Sequence, residues 1–189
     1  IVDCPMRTAS ASEPVEQILF TQPGMRYCQA QALVHALMKD PSFADLSERE
    51  IKLVTERLLN DVKGRMMEDI ILLECAKVAG KHQKVFKLKF DRGEFDMVIY
   101  DSDLDSCAIY EIKHSDKVVE NQYRHLLNED LCNQTERRFG EITAKTVLYR
   151  GESHNDVPDV KYRNAADFLK ALPESMDIDQ GQGFTMDLG

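Results

Sequence analysis

The spacing of apolar residues divides the chain into a polar arm, two helical segments, a group of strands interrupted by one helix, a closing helix and a polar tail. Residues 1–14 are rich in Ser, Ala and Pro and carry no apolar period, which predicts a linker or partly ordered arm reaching to residue 24. Within it, residues 15–20 fit either a short strand or a helical turn, stopped by Gln22-Pro23-Gly24. Over 25–39, Ala32, Leu33, Ala36 and Leu37 recur at helical spacing, and Asp40-Pro41 ends the run. The longest periodic segment, 47–79, opens on Ser47-Glu48-Arg49-Glu50, a capping-box pattern in which two side chains satisfy each other's free amides. Ile51, Val54, Leu58 and Val62 form its first apolar stripe, and Gly64 predicts a boundary. Beyond it, Met66, Met67, Ile70, Ile71, Leu72 and Leu73 surround the helix axis, which implies burial on most sides. Glu68 sits among them, on the face of Ile71, Leu72 and Cys75, where a carboxylate is costly without a partner.

From residue 85 the period changes. Phe86, Leu88 and Phe90 alternate with Lys87 and Lys89, the pattern of a half-exposed strand over 85–90. Asp91-Arg92-Gly93 makes a turn, and strands follow at 95–100 and 107–113, joined by the polar turn 101–106. Asp116 is placed to cap a helix over 117–138 with Val119, Tyr123, Leu126 and Leu127 on its apolar side. A fourth strand is predicted at 142–149 and a fifth at 157–162, weakened by Pro158. Asn164 caps a closing helix to Leu172, which Pro173 stops, and the acidic tail has little to pack. The predicted order is an arm (1–24), a helical extension (25–63), an α/β core (64–172) and a flexible tail (173–189).

Composition narrows what such a core could do. A length of 189 residues fits one domain with appendages, and 43% hydrophobic residues suffice for one solid core. The 24 basic against 33 acidic residues give a net charge of -9, which disfavours nonspecific nucleic-acid binding by the bulk surface. A polyanionic partner needs a local basic patch. Lys87, Lys89, Arg137, Arg138 and Lys145 are candidates for one, a solvated strand and helix face being the plainer account. Cys4, Cys28, Cys75, Cys107 and Cys132 are an odd set without CxxC spacing, which favours reduced thiols in a cytoplasmic protein over a zinc site. No apolar run approaches the roughly 20 residues needed to span a bilayer, so no membrane partner is expected. A first residue of Ile rather than Met points to a longer parent chain. Gly80-Lys81 is no P-loop, because no Gly lies five positions earlier and no Ser or Thr follows.

Three ionisable residues interrupt the apolar strands. Side chains alternate between the faces of a strand, so Glu111 and Lys113 share a face with Cys107 and Ile109, and Asp96 shares one with Val98 and Tyr100. Pairing about the turn 101–106 brings two carboxylates and one ammonium together at one end of a sheet. An ordinary cross-strand ion pair is one reading of the trio, and it leaves Glu68 without account. Glu68 alone also fits a structural pair with Arg65. His114 alternates to the face opposite Lys113 and reads as surface or packing.

The order from residue 64 onward, with Asp96, 14 intervening residues and then Glu111-Ile112-Lys113, resembles the PD-(D/E)xK nuclease superfamily. That resemblance implies an α/β, restriction-endonuclease-like αβββαβ core, its mixed central sheet flanked by helices, here with an N-terminal helical extension. Glu68 matches the acidic position that the family carries on its first helix. More narrowly, GRMMEDIILLE, GEFDMVIYD and IYEIKHS are similar to segments of a C-terminal domain of unknown function that follows an AAA+ ATPase module in bacterial and archaeal proteins. RecB-like members carry a Gln followed four residues later by Tyr on the second helix; here Tyr123 follows Gln122 at once and position 126 is Leu, which leaves the role of Gln122 open. The resemblance implies Mg2+- or Mn2+-dependent hydrolysis of phosphodiester bonds in DNA. Asp96 and Glu111 would be metal ligands, with the backbone carbonyl of Ile112 as a third, and Glu68 would hold a second metal or a metal-bound water. Lys113 would orient or deprotonate the attacking water or neutralise transition-state charge. An ATPase domain of the same parent chain is the implied partner. Two other functions stay open: a nuclease-fold module that binds nucleic acid or a partner without cleaving, and an assembly domain that pairs ATPase subunits as a homo-oligomer through the helix beginning at Ser47.

Overall fold

The computed structural model describes residues 22–173, together with the backbone of two strands, β1 (Val2–Thr8) and β2 (Val15–Leu19). The tail expected over 173–189 lies outside the described residues from 174 onward. Helices α1 (Pro23–Leu37) and α2 (Glu48–Val78) come next, followed by strands β3 (Gln83–Lys89), β4 (Glu94–Asp101) and β5 (Ser106–Lys113). Helix α3 (Glu129–Phe139), strands β6 (Glu141–Tyr149), β7 (His154–Val157) and β8 (Val160–Asn164), and helix α4 (Ala165–Lys170) follow among the described residues. The fold is α/β with one mixed, open sheet. β3, β4 and β5 form an antiparallel meander, β6 runs parallel to β5, β8 parallel to β6, and β7 antiparallel at the edge. The arm extends the other edge, β1 parallel to β3 and β2 antiparallel to β1, in the order β2-β1-β3-β4-β5-β6-β8-β7.

Within the expected arm, residues 2–8 form a strand that the composition does not predict, and 15–19 take the strand rather than the helical turn. The outer edge of β3 offers unpaired backbone groups, and pairing with β1 satisfies them whatever the side-chain pattern. Helix α2 starts as expected, with Glu50 Oε2 accepting from the Ser47 N–H at 2.8 Å and Ser47 Oγ accepting from the Glu50 N–H at 3.4 Å. It does not break at Gly64. One interior Gly costs about 1 kcal/mol, less than the flanking turns gain by continuing, so one helix of 31 residues crosses the expected boundary between extension and core.

The packed faces of α1 and α2 also differ from the predicted stripes. Met38 and Leu59 are buried, whereas Leu33, Leu37, Val54 and Leu58 are exposed. Ile51 and Val62 of the expected α2 stripe are half-buried, with Leu59 between them. The helix expected over 117–138 shrinks to α3, because Asn128 caps a new start by accepting from the Leu131 N–H at 3.1 Å. The preceding segment holds only the 3-10 turn Glu120–Gln122. Gln122 pins it, accepting from the Val119 N–H at 3.0 Å and donating to the Lys117 carbonyl at 2.9 Å. The strand expected over 157–162 is two strands, β7 and β8, divided at Pro158-Asp159; Pro158 has no N–H to give a ladder and Asp159 adopts φ 62.

Strand alternation divides the core into two layers. Phe86, Leu88, Val98, Ile109 and Val147 face Leu126, Leu131 and Phe139 on one side of the sheet. Met97, Ile112 and Leu148 face Ile71, Leu72 and Cys75 of α2 on the other. Among the described residues no helix is long and apolar enough to cross a membrane. Cys28, Cys75, Cys107 and Cys132 are free thiols, and burial pushes those of Cys75 and Cys107 up to about 12, which leaves them inert.

A Cβ at Gly64 would meet nothing within 4 Å outside its own helix. Gly64→Ala is therefore expected to stabilise the protein by about 0.5–1 kcal/mol, read as a raised urea midpoint; an unchanged or lowered midpoint would mean that α2 needs flexibility at this position.

Candidate active site

The β4–β5 ladder runs from Asp101↔Ser106 to Met97↔Tyr110 and stops there. The next opposed pair is Asp96 and Glu111, so register alone sets two carboxylates side by side where the strands part. Both are buried, at 4% and 3% exposure. Asp96 Oδ2 accepts from the Ile112 N–H at 2.7 Å, taking a donor that the interrupted ladder leaves over. Lys113 reaches back along β5, and its Nζ lies 2.8 Å from Asp96 Oδ2 and 2.5 Å from Glu111 Oε2. The predicted convergence of Asp96, Glu111 and Lys113 is therefore present. Ile112, singled out for its carbonyl, meets the cluster through its N–H.

Glu68 arrives from α2 and is bonded to Lys87 Nζ of β3. Arg65, its expected partner, instead lines the adjoining cleft. The charges of Asp96 and Lys113 both reach Glu68. Burial, then the charge of Asp96, pushes the Glu68 carboxyl upward against the pull of Lys87. Burial alone would lower the Lys87 ammonium, and Glu68 overcomes that and raises it. Lys113 behaves the same way, raised by Asp96 and Glu111 against its desolvation.

Gln122 spends its amide on the loop and, at 3.4 Å, on the Tyr162 hydroxyl, so it serves the fold rather than the trio. His114 lies beside Arg150, 3.4 Å from its Nη1, away from the carboxylates. One residue that touches the site was not foreseen: His125 Nδ1 lies 3.2 Å from Glu111 Oε1. No periodic signal marks it, because it stands in the irregular segment that the sequence reads as helix.

A cleft of about 480 Å3 adjoins the site, lined by Arg26, Arg65, Lys87 and Lys89 with Glu68, Asp69 and Glu94. Arg26, from α1, bonds Asp69 Oδ2 at 3.0 Å, so the helical extension contributes to this wall. Lys87 and Lys89 of the expected basic patch are here, whereas Lys145 lines a different cleft.

Among the described residues, no group of three His, Cys, Asp or Glu side chains is arranged to hold a metal. Asp96 and Glu111 nonetheless present oxygens to a single ammonium, and Mg2+ is commonly held by one or two carboxylates with waters and substrate oxygens in the remaining places. This pair fits such an ion. Glu68 is already committed to Lys87. Compared with known proteins, the chain matches no protein-family model, and no curated protein matches it significantly.

Burial, then the charge of Asp96, pushes the Glu111 carboxyl up to about 8 despite Lys113, from an ordinary value of 4.5. Between these values the folded chain holds a proton that the unfolded chain releases, so this group's contribution to stability is full below 4.5 and is lost as pH rises to about 8. Wild-type urea midpoints are expected to fall across this window more steeply than those of Glu111→Gln. Parallel profiles would show that Glu111 is not the titrating group.

Proposed function

We propose that this chain carries a metal-dependent phosphodiesterase centre of the PD-(D/E)xK type on a restriction-endonuclease-like core, acting on DNA as the C-terminal part of an AAA+ ATPase. The observation that carries this reading is the sharing of the Lys113 ammonium by Asp96 and Glu111 at the point where β4 and β5 part. Asp96 and Glu111 would hold the ion. A divalent cation, when bound, supplies Lewis-acid charge at the phosphate and acidifies water. Lys113 is then free of one or both carboxylates, and its ammonium, on a side chain 31% exposed, can neutralise charge developing on the phosphate or orient the attacking water. Arg65 and Lys89 offer cations to the phosphates of a strand lying in the cleft, which gives an acidic protein a local surface for a polyanion.

The test is to incubate the purified chain with single- and double-stranded DNA and RNA in Mg2+ or Mn2+, beside Glu111→Ala and Lys113→Ala. Cleavage of DNA is expected, reduced about a hundredfold or more in each variant. No cleavage by the wild type under any condition, or cleavage by both variants unchanged from wild type, overturns the catalytic reading.

A second reading, assembly through α1 and α2, is favoured by the exposure of Leu33 at 70% and Leu37 at 48%, with Val54 and Leu58 also uncovered. It predicts a concentration-dependent dimer in sedimentation velocity that Leu33→Glu with Leu37→Glu dissociates. A monomer at all concentrations would sink it.

A further inference from the structure

His125 touches the candidate centre without a part in the chemistry above. Its Nδ1 is 3.2 Å from Glu111 Oε1, while Lys113 takes Glu111 Oε2 at 2.5 Å. The two carboxylate oxygens thus have different partners, and the pair fixes how the group is turned. An ionised Glu111 only accepts, so in the state that would hold a cation this contact needs the hydrogen on Nδ1.

The far side of the ring rests on Gly93 in the β3–β4 turn. A Cβ there would lie 3.2 Å from Nε2 and 3.4 Å from Cδ2 and Cε1, and Gly93 has φ 95, so a glycine leaves the ring its seat. The backbone that carries His125 is anchored at both ends. Gln122 pins the preceding turn, Leu126 is fully buried, and the His125 carbonyl accepts from the Asn128 N–H at 3.1 Å beside the α3 cap.

We propose that His125 is a positioning residue for Glu111: its Nδ1–H holds the carboxylate turned towards Asp96, so that both are presented to one divalent cation. The proposal rests on the metal-dependent reading above. Carboxylates that hold a metal are themselves hydrogen-bonded by outer partners, and loss of such a partner typically weakens metal affinity or activity by about 10- to 100-fold. A packing role for the ring would need no donor at Nδ1, and the two accounts therefore separate.

The test titrates the full chain with Mn2+ alone, by calorimetry, for wild type, Glu111→Ala, His125→Ala and His125→Asn, with thermal melting of each. The Asn amide can place an N–H near the position of Nδ1–H. His125→Ala is expected to bind Mn2+ about 10- to 100-fold more weakly, with most of the affinity restored in His125→Asn. In DNA cleavage, KM for DNA should stay unchanged, and the kcat lost by His125→Ala should recover at saturating Mn2+. Equal Mn2+ affinity in His125→Ala and wild type overturns the positioning role while leaving the metal site standing, and so does an Asn variant no better than Ala. A wild type that binds Mn2+ no better than Glu111→Ala overturns the metal-dependent reading and this proposal together. Should the variants fail to fold, nitrogen NMR of the wild type decides: a His125 imidazole without a hydrogen-bonded Nδ1–H overturns the proposal.

Discussion

Lys113 is the cation on which the end of the sheet depends. Asp96 and Glu111 are both nearly inaccessible to water, and opposed carboxylates at that depth repel each other strongly. Unit charges about 4 Å apart at an effective dielectric of 20 interact by about 4 kcal/mol, so an ammonium between the two sets two attractions against the one repulsion. Removing one partner from a buried ion pair commonly costs about 3–5 kcal/mol. The backbone adds a second anchor: the ladder ends at Met97↔Tyr110, and the Ile112 N–H beyond it finds Asp96 Oδ2 in place of a strand carbonyl. A carboxylate is tolerated there because it substitutes for a missing ladder bond.

The same parting of strands explains why so many elements meet at one place. While β4 and β5 are paired, their alternating side chains are divided between the two core layers, with Val98 and Ile109 on the α3 side and Met97 and Ile112 on the α2 side. Where pairing stops, groups from both sides approach each other. Glu68 and Lys87 come from the α2 side, and His125 comes from the loop before α3. The α2 helix must run unbroken past Gly64 to carry Glu68 to this point, and the helical extension closes the outer wall of the cleft through Arg26 and Asp69.

Much of this was legible in the sequence, for identifiable reasons. Period-two alternation located β3, β4 and β5, and a two-residue spacing put Glu111 and Lys113 on one face. Glu68 stood out as a carboxylate within an apolar helical run. Errors arose where tertiary context decides between locally equivalent choices. The helical spacing of Leu33 and Leu37 located α1, but periodicity alone does not say which face is covered, and both residues are exposed. Val119, Tyr123, Leu126 and Leu127 have helical spacing, yet the hydrogen bonds of Gln122 and the Asn128 cap hold 117–128 out of a helix. His125 was hidden by the same mistake, because its approach to Glu111 depends on the irregular path of that loop and on the space left at Gly93.

The charge balance of the whole cluster bears on what it could accept. Glu68, Asp96 and Glu111 supply three carboxylates, and Lys87 and Lys113 two ammonium groups, which leaves one negative charge in a buried setting when all are ionised. A proton on Glu111 neutralises that excess, and the upward shift of its carboxyl expresses this tendency. A single added positive charge would do the same. In the proposed reading a divalent cation goes one charge further, leaving the cluster net positive, and one singly charged phosphodiester group then restores neutrality. The cluster alone thus favours protonation, whereas cation and phosphate together leave no uncompensated charge, so each would strengthen the binding of the other.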